Sequence, residues 1–425
     1  MKKTIQSGID WLISDVSSAM PNDLKAVNRW KVLKAFQDGK EHTAMEVSVE
    51  TGISRQTIMK AIRFFSDNGL LESGGKGDST CIGGKKPEFF VFTYEKIVLC
   101  ISIKRERVYL SLFDMVKRDL GSTFFDIQTD ETLDDIVHKI GEGAGTLLSE
   151  KGYGNNSLFG VGISTAAIVD YGNGNLYENR FNKAWPSNYP MAQRMREIFG
   201  NDAIIYVENA GKAAGRALLL HGSDSRDYRI LTVFFDEGIS SCMIEYGHVL
   251  NGSFSLIGEI GRIRSDQMLL EQLISDEYVR QRCQNAKVDS ELCRLMGKVG
   301  LQDAFQCSRN GDKLAIDIVE EIAEEVGKFL YNSMFYFCPD YICFQGTFAK
   351  ASDCFKKKLG QAIEREAEES IGKKIRHIYY DKRPIWKLEA WGLYSALSNS
   401  FFRSNKLYAD GDNDFSRQSE MKMDS

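Results

Sequence analysis

The residues best equipped to do chemistry lie between Ile53 and Lys86. Arg55, Gln56, Thr57, Lys60 and Arg63 place cations, an amide and a hydroxyl on one side of a segment. Its other side, Ile58, Ala61, Ile62 and Phe65, recurs at i, i+3, i+4 and i+7, the spacing of one apolar helix face. Lys76, Lys85 and Lys86 follow in a glycine-rich stretch. Cations and polar donors arrayed along a helix can hold phosphates and read base edges, so the chemistry implied is contact with DNA. Over this stretch six basic residues stand against three acidic ones (Asp67, Glu72 and Asp78), a local +3 in a chain of net charge -5. That balance excludes a protein that coats nucleic acid and fits one small contacting face on an acidic body.

The elements needed to position these groups are written around them. A helix over 28–37 ends at Asp38-Gly39-Lys40. Thr43-Ala44-Met45-Glu46 has the form of a capping box, in which hydroxyl and carboxylate satisfy each other's orphan N–H groups. Thr51-Gly52-Ile53-Ser54 stops that helix with a glycine and restarts the chain with a serine N-cap. Asn68-Gly69 closes the second helix. Leu70-Leu71-Glu72 opens a strand that turns within Ser73-Gly74-Gly75-Lys76-Gly77-Asp78 and returns over 88–93. The order is that of a winged helix-turn-helix. A helical docking module with a solvated charged face is the alternative reading of the same residues.

At 425 residues, 43% hydrophobic and 11% aromatic, the chain can form two or three domains with full cores. Its nine cysteines are scattered, without a CxxC or CxC pair, which is the usage expected in a reducing cytoplasm. No run of about 18 apolar residues and no apolar N-terminal signal core is present, so neither a membrane span nor secretion is expected.

After the wing the pattern changes. Strands are expected at 97–103, 107–113 and 122–127, a helix at 133–148, a strand at 158–163, glycine-rich turns to Gly174, a helix at 190–199, a strand at 203–207 and a helix at 210–219. The order then repeats: strands at 229–235, 240–246 and 248–250, a long helix at 316–337, a strand at 341–344, a helix at 354–368, a strand at 375–380 and a closing helix at 388–402. Two such units around a cleft predict an α/β, two-lobed, actin-like (ribonuclease-H-like) body that binds a small ligand between its lobes. The expected domains are a helical extension (1–27), the winged helix-turn-helix (28–95), a first lobe (96–210, with the closing helix), a second lobe (211–387, with a mainly helical insertion at 266–312) and a polar, disordered tail (403–425).

With these motifs in order, the chain resembles the ROK family of sugar-responsive bacterial repressors and sugar kinases over roughly residues 28–400. The resemblance rests on Gly74-Gly75-Lys76-Gly77 and Gly83-Gly84-Lys85-Lys86-Pro87 at the wing, and on Gly160-Val161-Gly162-Ile163-Ser164 with Val169-Asp170. It continues through Val207-Glu208-Asn209 with Ala213-Ala214, Gly258-Glu259-Ile260-Gly261 and Ala390-Trp391-Gly392.

The departures from the family pattern carry as much information. The family's kinases place an Asp base directly after the Glu-Asn pair, where this chain has Ala210, and a methyl group cannot accept a proton. The first phosphate loop, Asp-x-Gly in kinases, is Ser102-Ile103-Lys104. The second, Gly-Thr-Gly-x-Gly, is Asp236-Glu237-Gly238-Ile239-Ser240, with two carboxylates expected to repel phosphate. The adenosine-side glycines reduce to Gln345-Gly346-Thr347. Where the family has a zinc-binding His and a cysteine cluster, this chain has Arg262 and no cysteine between Cys242 and Cys283, so neither zinc nor any other cofactor is expected. By the resemblance, Asn209, Glu259 and Glu271 fall where the family bonds sugar hydroxyls, Asn182 falls in the preceding sugar loop, and Arg262 alters which ligand the pocket prefers. Ordinary roles stand beside these: Asn209 as a helix N-cap, Glu259 in a domain-interface ion pair, Glu271 as a solvated carboxylate. The function implied is a sugar-responsive regulator, a repressor without kinase activity, acting on operator DNA as a homodimer or homotetramer. An active sugar kinase with an appended DNA module is the alternative.

Overall fold

A computed structural model describes residues 21–76, 86–179, 185–220, 228–236, 238–252, 255–265, 268–295, 299–370, 377–402, 404 and 407–408. Helix α1, Pro21–Ala35, runs into a turn of 3-10 helix, Phe36–Asp38. This corrects the expected boundary at 27/28. The helix is continuous from Pro21, and proline suits a first helical position because an N–H there has no intrahelical acceptor. The rest of the expected extension, residues 1–20, lies outside the described residues.

Strand β1 (His42–Thr43), α2 (Ala44–Thr51), α3 (Arg55–Asp67), β2 (Leu71–Lys76) and β3 (Glu88–Phe92) complete the winged unit, with sheet order β1-β3-β2. Local chemistry sets the two helix starts. Glu46 N–H donates to Thr43 Oγ1 at 3.2 Å while Thr43 N–H donates to Glu46 Oε2 at 2.7 Å, closing the capping box. Thr57 N–H donates to Ser54 Oγ at 3.3 Å. Between the helices Gly52 takes φ 68°, the left-handed conformation that lets the elbow turn sharply.

The body holds two sheets of matching design. In the first lobe β4 (Ile97–Ile103), β5 (Arg107–Asp114) and β6 (Asp119–Asp126) form an antiparallel meander. Helix α4 (Leu133–Glu150) leads to β7 (Leu158–Thr165), parallel to β4. A hairpin, β8 (Ala167–Asp170) and β9 (Asn175–Asn179), forms where only turns were expected. Helix α5 (Met191–Phe199), β10 (Ile204–Asn209) and α6 (Ala210–Arg216) follow, giving the order β10-β7-β4-β5-β6. Strands β4 and β7 are buried along their whole length, which is why they are largely apolar without alternation, with Ser102, Ser164 and Thr165 only near their C-terminal ends.

The second lobe repeats the plan with β11 (Arg229–Phe235), β12 (Ile239–Glu245) and β13 (His248–Val249). Next comes a segment of short elements: β14 (Arg264–Ser265), β15 (Met268–Leu269), α7 (Leu270–Leu273), α8 (Asp276–Asn285), α9 (Glu291–Arg294) and α10 (Leu301–Arg309). Helix α11 (Lys313–Tyr336), β16 (Tyr341–Gly346), α12 (Asp353–Ser370) and β17 (His377–Asp381) complete the order β13-β12-β11-β16-β17.

Helix α13 (Ile385–Phe402) then returns to the first lobe and joins the three parts. At Gly392 it crosses α6 so closely that a Cβ would lie 1.6 Å from the Ala213 carbonyl oxygen. At its far end Phe401 stacks on Tyr94 with centroids 4.7 Å apart, and Phe402 lies 5.7 Å from Phe92 of the wing. The winged unit and the first lobe therefore share one apolar core, containing Leu33, Phe36 and Phe65 beside Phe113, Phe159, Phe401 and Leu407. Each aromatic buried there contributes roughly 1.5–3 kcal/mol, and so apolar an inter-domain contact opposes free rotation of the winged unit.

The expected start of the polar tail at 403 is also corrected. Leu407 and Tyr408 are buried, Arg29 Nη1 donates to the Tyr408 carbonyl at 2.7 Å, and Phe65 meets the Tyr408 ring edge-on at 6.3 Å. Two apolar residues are enough to dock this end on α1 and α3. Residues 409–425 lie outside the described residues.

Candidate effector cleft and nucleic-acid interface

The cleft between the lobes is narrow and partly open, with about 40 Å³ of free volume, well below the usual range of an occupied small-molecule site. Its walls come from Lys104 after β4, Ala166 and Ala167 after β7, and Asn209 to Gly211 at the β10–α6 junction. The second lobe contributes Phe234, Asp236, Gly238 to Ser240 and Glu259. Asn209 has two tasks. Its Oδ1 accepts from the Gly211 and Lys212 N–H groups at 2.9 and 3.3 Å, capping α6, while Nδ2 donates to the Ala167 carbonyl at 3.1 Å and to Glu259 Oε1 at 3.4 Å. The N-cap role and the place in the cleft wall thus coexist, and Asn209 and Glu259 meet across the lobes.

The other expected ligand residues are placed differently. Glu271, on α7, packs against Gly261, where a Cβ would come within 3.1 Å of it, so it supports the loop that carries Glu259 and is not part of the cavity wall. Arg262 is exposed and pairs with Glu178 on β9, tying the lobes at the cleft rim. A permanently protonated guanidinium in an ion pair is not a metal ligand, so the residues at this place do not fit the family's zinc. Among the described residues no group of three or more His, Cys, Asp or Glu could hold a metal ion. Asn182 lies outside the described residues.

Where phosphate loops would meet, the cleft holds a charge cluster. Lys104 Nζ lies 3.1 Å from Asp236 Oδ2 and also pairs with Glu389 of α13. Glu389 is fully buried and accepts from Ser102 Oγ and, at 2.8 Å, from Ser164 Oγ. Burial pushes its carboxyl above the usual range, against the pull of Lys104 and Ser102. Of the two carboxylates expected to repel phosphate, Asp236 faces the Lys104 ammonium, which it shares with Glu389, and Glu237 lies outside the described residues. Sequence reasoning missed Glu389. The available signal was the single carboxylate of α13, followed by an uninterrupted stretch without charge to the helix end.

Beneath the cleft Glu208 is buried with Arg216, whose Nε lies 2.9 Å from it, and accepts from the Tyr171 and Tyr206 hydroxyls. Beside them Lys212 donates from Nζ to the Ser255 carbonyl at 3.3 Å, reaching from α6 to the second lobe.

A ROK family model matches residues 100–382, two thirds of the sequence. The chain belongs to the ROK family. It is 23% identical to the DNA-binding transcriptional repressor Mlc of Escherichia coli (strain K12) over 221 residues, 49% of this chain and 54% of Mlc. It is 17% identical to the DNA-binding transcriptional dual regulator NagC of the same organism over 358 residues, 81% of this chain and 86% of NagC. Among solved structures, a ROK family transcriptional regulator homologous to Escherichia coli Mlc superposes with a TM-score of 0.71 at 18% identity, covering 88% of this chain and 96% of that one. A ROK hexokinase from Thermus thermophilus gives 0.57 at 18% identity, covering 71% and 97%. At these identities the superpositions establish a shared fold.

Relative to the ROK body, the winged unit turns its polar side outward. On α3, Arg55, Gln56, Lys60 and Arg63 are exposed, while Ile58, Ala61, Ile62 and Phe65 are buried. Thr57 is half-buried, and its hydroxyl lies 3.0 Å from Ser54 Oγ, so it belongs to the cap as much as to the surface. Lys86 is exposed just before β3 and Lys76 ends β2. Lys85 lies outside the described residues. No helix among the described residues is long and apolar enough to cross a membrane.

Proposed function

We propose that this chain is a ligand-controlled transcriptional regulator of the repressor type, which binds operator DNA through α3 and the wing and a sugar or sugar derivative in the cleft, without phosphorylating it. One observation carries the reading: the winged unit shares a continuous apolar core with α13, the helix that also reaches the cleft through Glu389. A ligand favouring one lobe arrangement is then able to move the DNA-contacting surface. Pairing of two chains on two half-sites, as helix-turn-helix proteins commonly do, turns that movement into a change of half-site spacing. Asn209 and Glu259 supply hydroxyl partners in the cleft, and Arg55, Gln56, Lys60, Arg63, Lys76, Lys85 and Lys86 supply the DNA face, with Thr57 seating the helix. The names of Mlc and NagC support the regulator class.

Two features support loss of phosphoryl transfer. Ala210 stands at the place of the base, and Lys104 with Asp236 fills the place of the phosphates. The test has two arms. Selection of genomic DNA fragments by the purified chain, repeated with neutral sugars, amino sugars, sugar acids and sugar phosphates, is expected to yield a sequence-specific site whose occupancy one sugar class changes. An ATP-coupled assay with the same panel is expected to show no turnover. Turnover abolished by Glu259→Ala overturns the reading in favour of a kinase.

A further inference from the structure

The geometry points to Lys104 and Asp236 as a latch that holds the cleft closed in the absence of ligand, with Glu389 carrying its state along α13 to the winged unit. The inference rests on the regulator reading for its purpose, but its parts are structural. Lys104 follows the last residue of β4 and Asp236 the last residue of β11, the first strand of each lobe. Their contact joins the ends of these two strands, with Nζ and Oδ2 3.1 Å apart. Separation of the lobes must break this contact.

The other partner of Lys104 does not move with the second lobe. Glu389 sits on α13 and is held by Ser102 of β4 and Ser164 of β7, both in the first lobe. Lys104 therefore joins a first-lobe carboxylate to a second-lobe carboxylate. The Lys104 side chain is 12% exposed and that of Asp236 25%, whereas Glu389 is fully buried, so the inter-lobe contact is the one reachable by water and salt. Such an arrangement favours one breakable contact and one permanent one. When Asp236 leaves, Lys104 keeps its contact with Glu389, and the change in its pull falls on that carboxylate, twelve to thirteen residues before the rings of Phe401 and Phe402 that pack on the wing. Arg262 and Glu178 form a second inter-lobe pair at the rim, but both are about half exposed, where an ion pair holds little. An occupant of the cleft that displaces Asp236 from Lys104 would release the latch by competition.

Hydrogen exchange read by mass spectrometry on the full chain, with no ligand and no DNA, tests this. Asp236→Asn is expected to raise exchange about fivefold at both walls of the cleft, in segments 164–167 and 239–241, and along α13 to the wing, as loss of a partly exposed ion pair allows. In the unaltered protein, raising salt from about 0.05 to about 0.5 M is expected to produce the same pattern by screening, and Asp236→Asn is expected to lose that salt response. Lys104→Gln serves as a second variant, with the unfolding transition recorded to separate opening from unfolding. Unchanged exchange in a folded Asp236→Asn protein, or a change confined to residues around 236, overturns the latch. Since neither DNA nor sugar enters the measurement, that failure leaves the regulator reading standing, and failure of DNA selection leaves the latch measurable.

Discussion

Lys104 and Asp236 hold corresponding places in the two lobes, each directly after the lobe's first strand, and meet with 3.1 Å between Nζ and Oδ2. Their removal should have unequal costs. Asp236 is partly exposed, so Asp236→Asn is expected to lower unfolding free energy by about 1 kcal/mol or less. Lys104→Met leaves Glu389 fully buried with only hydroxyl partners, and should cost about 3–5 kcal/mol at neutral pH. The sign of the pH effect follows from Glu389, whose folded value lies above the unfolded 4.5 because burial disfavours its charge. Stability from the protonated form is full below 4.5 and is lost as pH rises through the folded value. The Lys104→Met deficit should therefore shrink as pH is lowered toward 4.5. Urea unfolding of both variants at several pH values checks this, and equal costs at neutral pH would contradict it.

The crossing of α6 and α13 gives a second prediction. A Cβ at residue 392 would sit 1.6 Å from the Ala213 carbonyl oxygen, a distance no repacking of side chains relieves. Gly392→Ala is expected to destabilise by about 3 kcal/mol or more, at or above the usual cost of overpacking, because backbone must shift. Since α13 also carries Phe401 and Phe402, the loss should extend to the wing. Thermal unfolding measures the cost. Proteolysis between the winged unit and the body, faster than in the unaltered chain, shows where it falls.

The parts of this fold that sequence made legible are those with a local cause. Thr43 with Glu46 and Ser54 with Thr57 announce two helices because their capping bonds close within three residues. Strands β4 and β7 announce themselves because burial on both faces leaves them apolar up to the serines and threonine near their C-terminal ends. Asn209 and Glu259, suggested by motif resemblance, meet in the cleft. The contact between Lys104 and Glu389 spans 285 residues, and no period or spacing carries it. Hairpin β8–β9 was obscured by the turn residues between its strands, and Leu407 with Tyr408 is too short a pair to show a pattern in polar surroundings.

Lys212 offers a test of buried charge. It is 1% exposed, donates to the Ser255 carbonyl, and lies with Nζ 5.0 Å from the Tyr171 ring centroid. Burial holds its ammonium below the usual lysine range, against the pull of Glu208. Because the folded chain binds this proton less well than the unfolded chain, stability is withheld at lower pH and recovered as pH rises toward 10.5. Lys212→Met, which keeps the apolar stem, is expected to raise the melting temperature near pH 7, with the gain shrinking as pH approaches 10. A drop in melting temperature at all pH values would mean that the bond to Ser255 outweighs the cost of burial.

Arg55 is the residue through which the winged unit should be tested. It is exposed at the first position of α3, makes no contribution to the buried face, and is positioned by the Ser54 cap. Arg55→Ala should leave unfolding free energy within about 0.5 kcal/mol, as for a surface substitution. Binding to the DNA fragments selected by the unaltered protein should weaken by about 1–3 kcal/mol if Arg55 reads a base, with discrimination relaxed at one position. If it holds a phosphate, binding should weaken evenly across sequences and the salt slope should fall by about one. Ser54→Ala separates positioning from contact: loss of the cap should cost about 1 kcal/mol of stability and weaken DNA binding through the helix start. Titrations at two salt concentrations distinguish the outcomes. Unchanged DNA affinity in Arg55→Ala would remove the first turn of α3 from the interface.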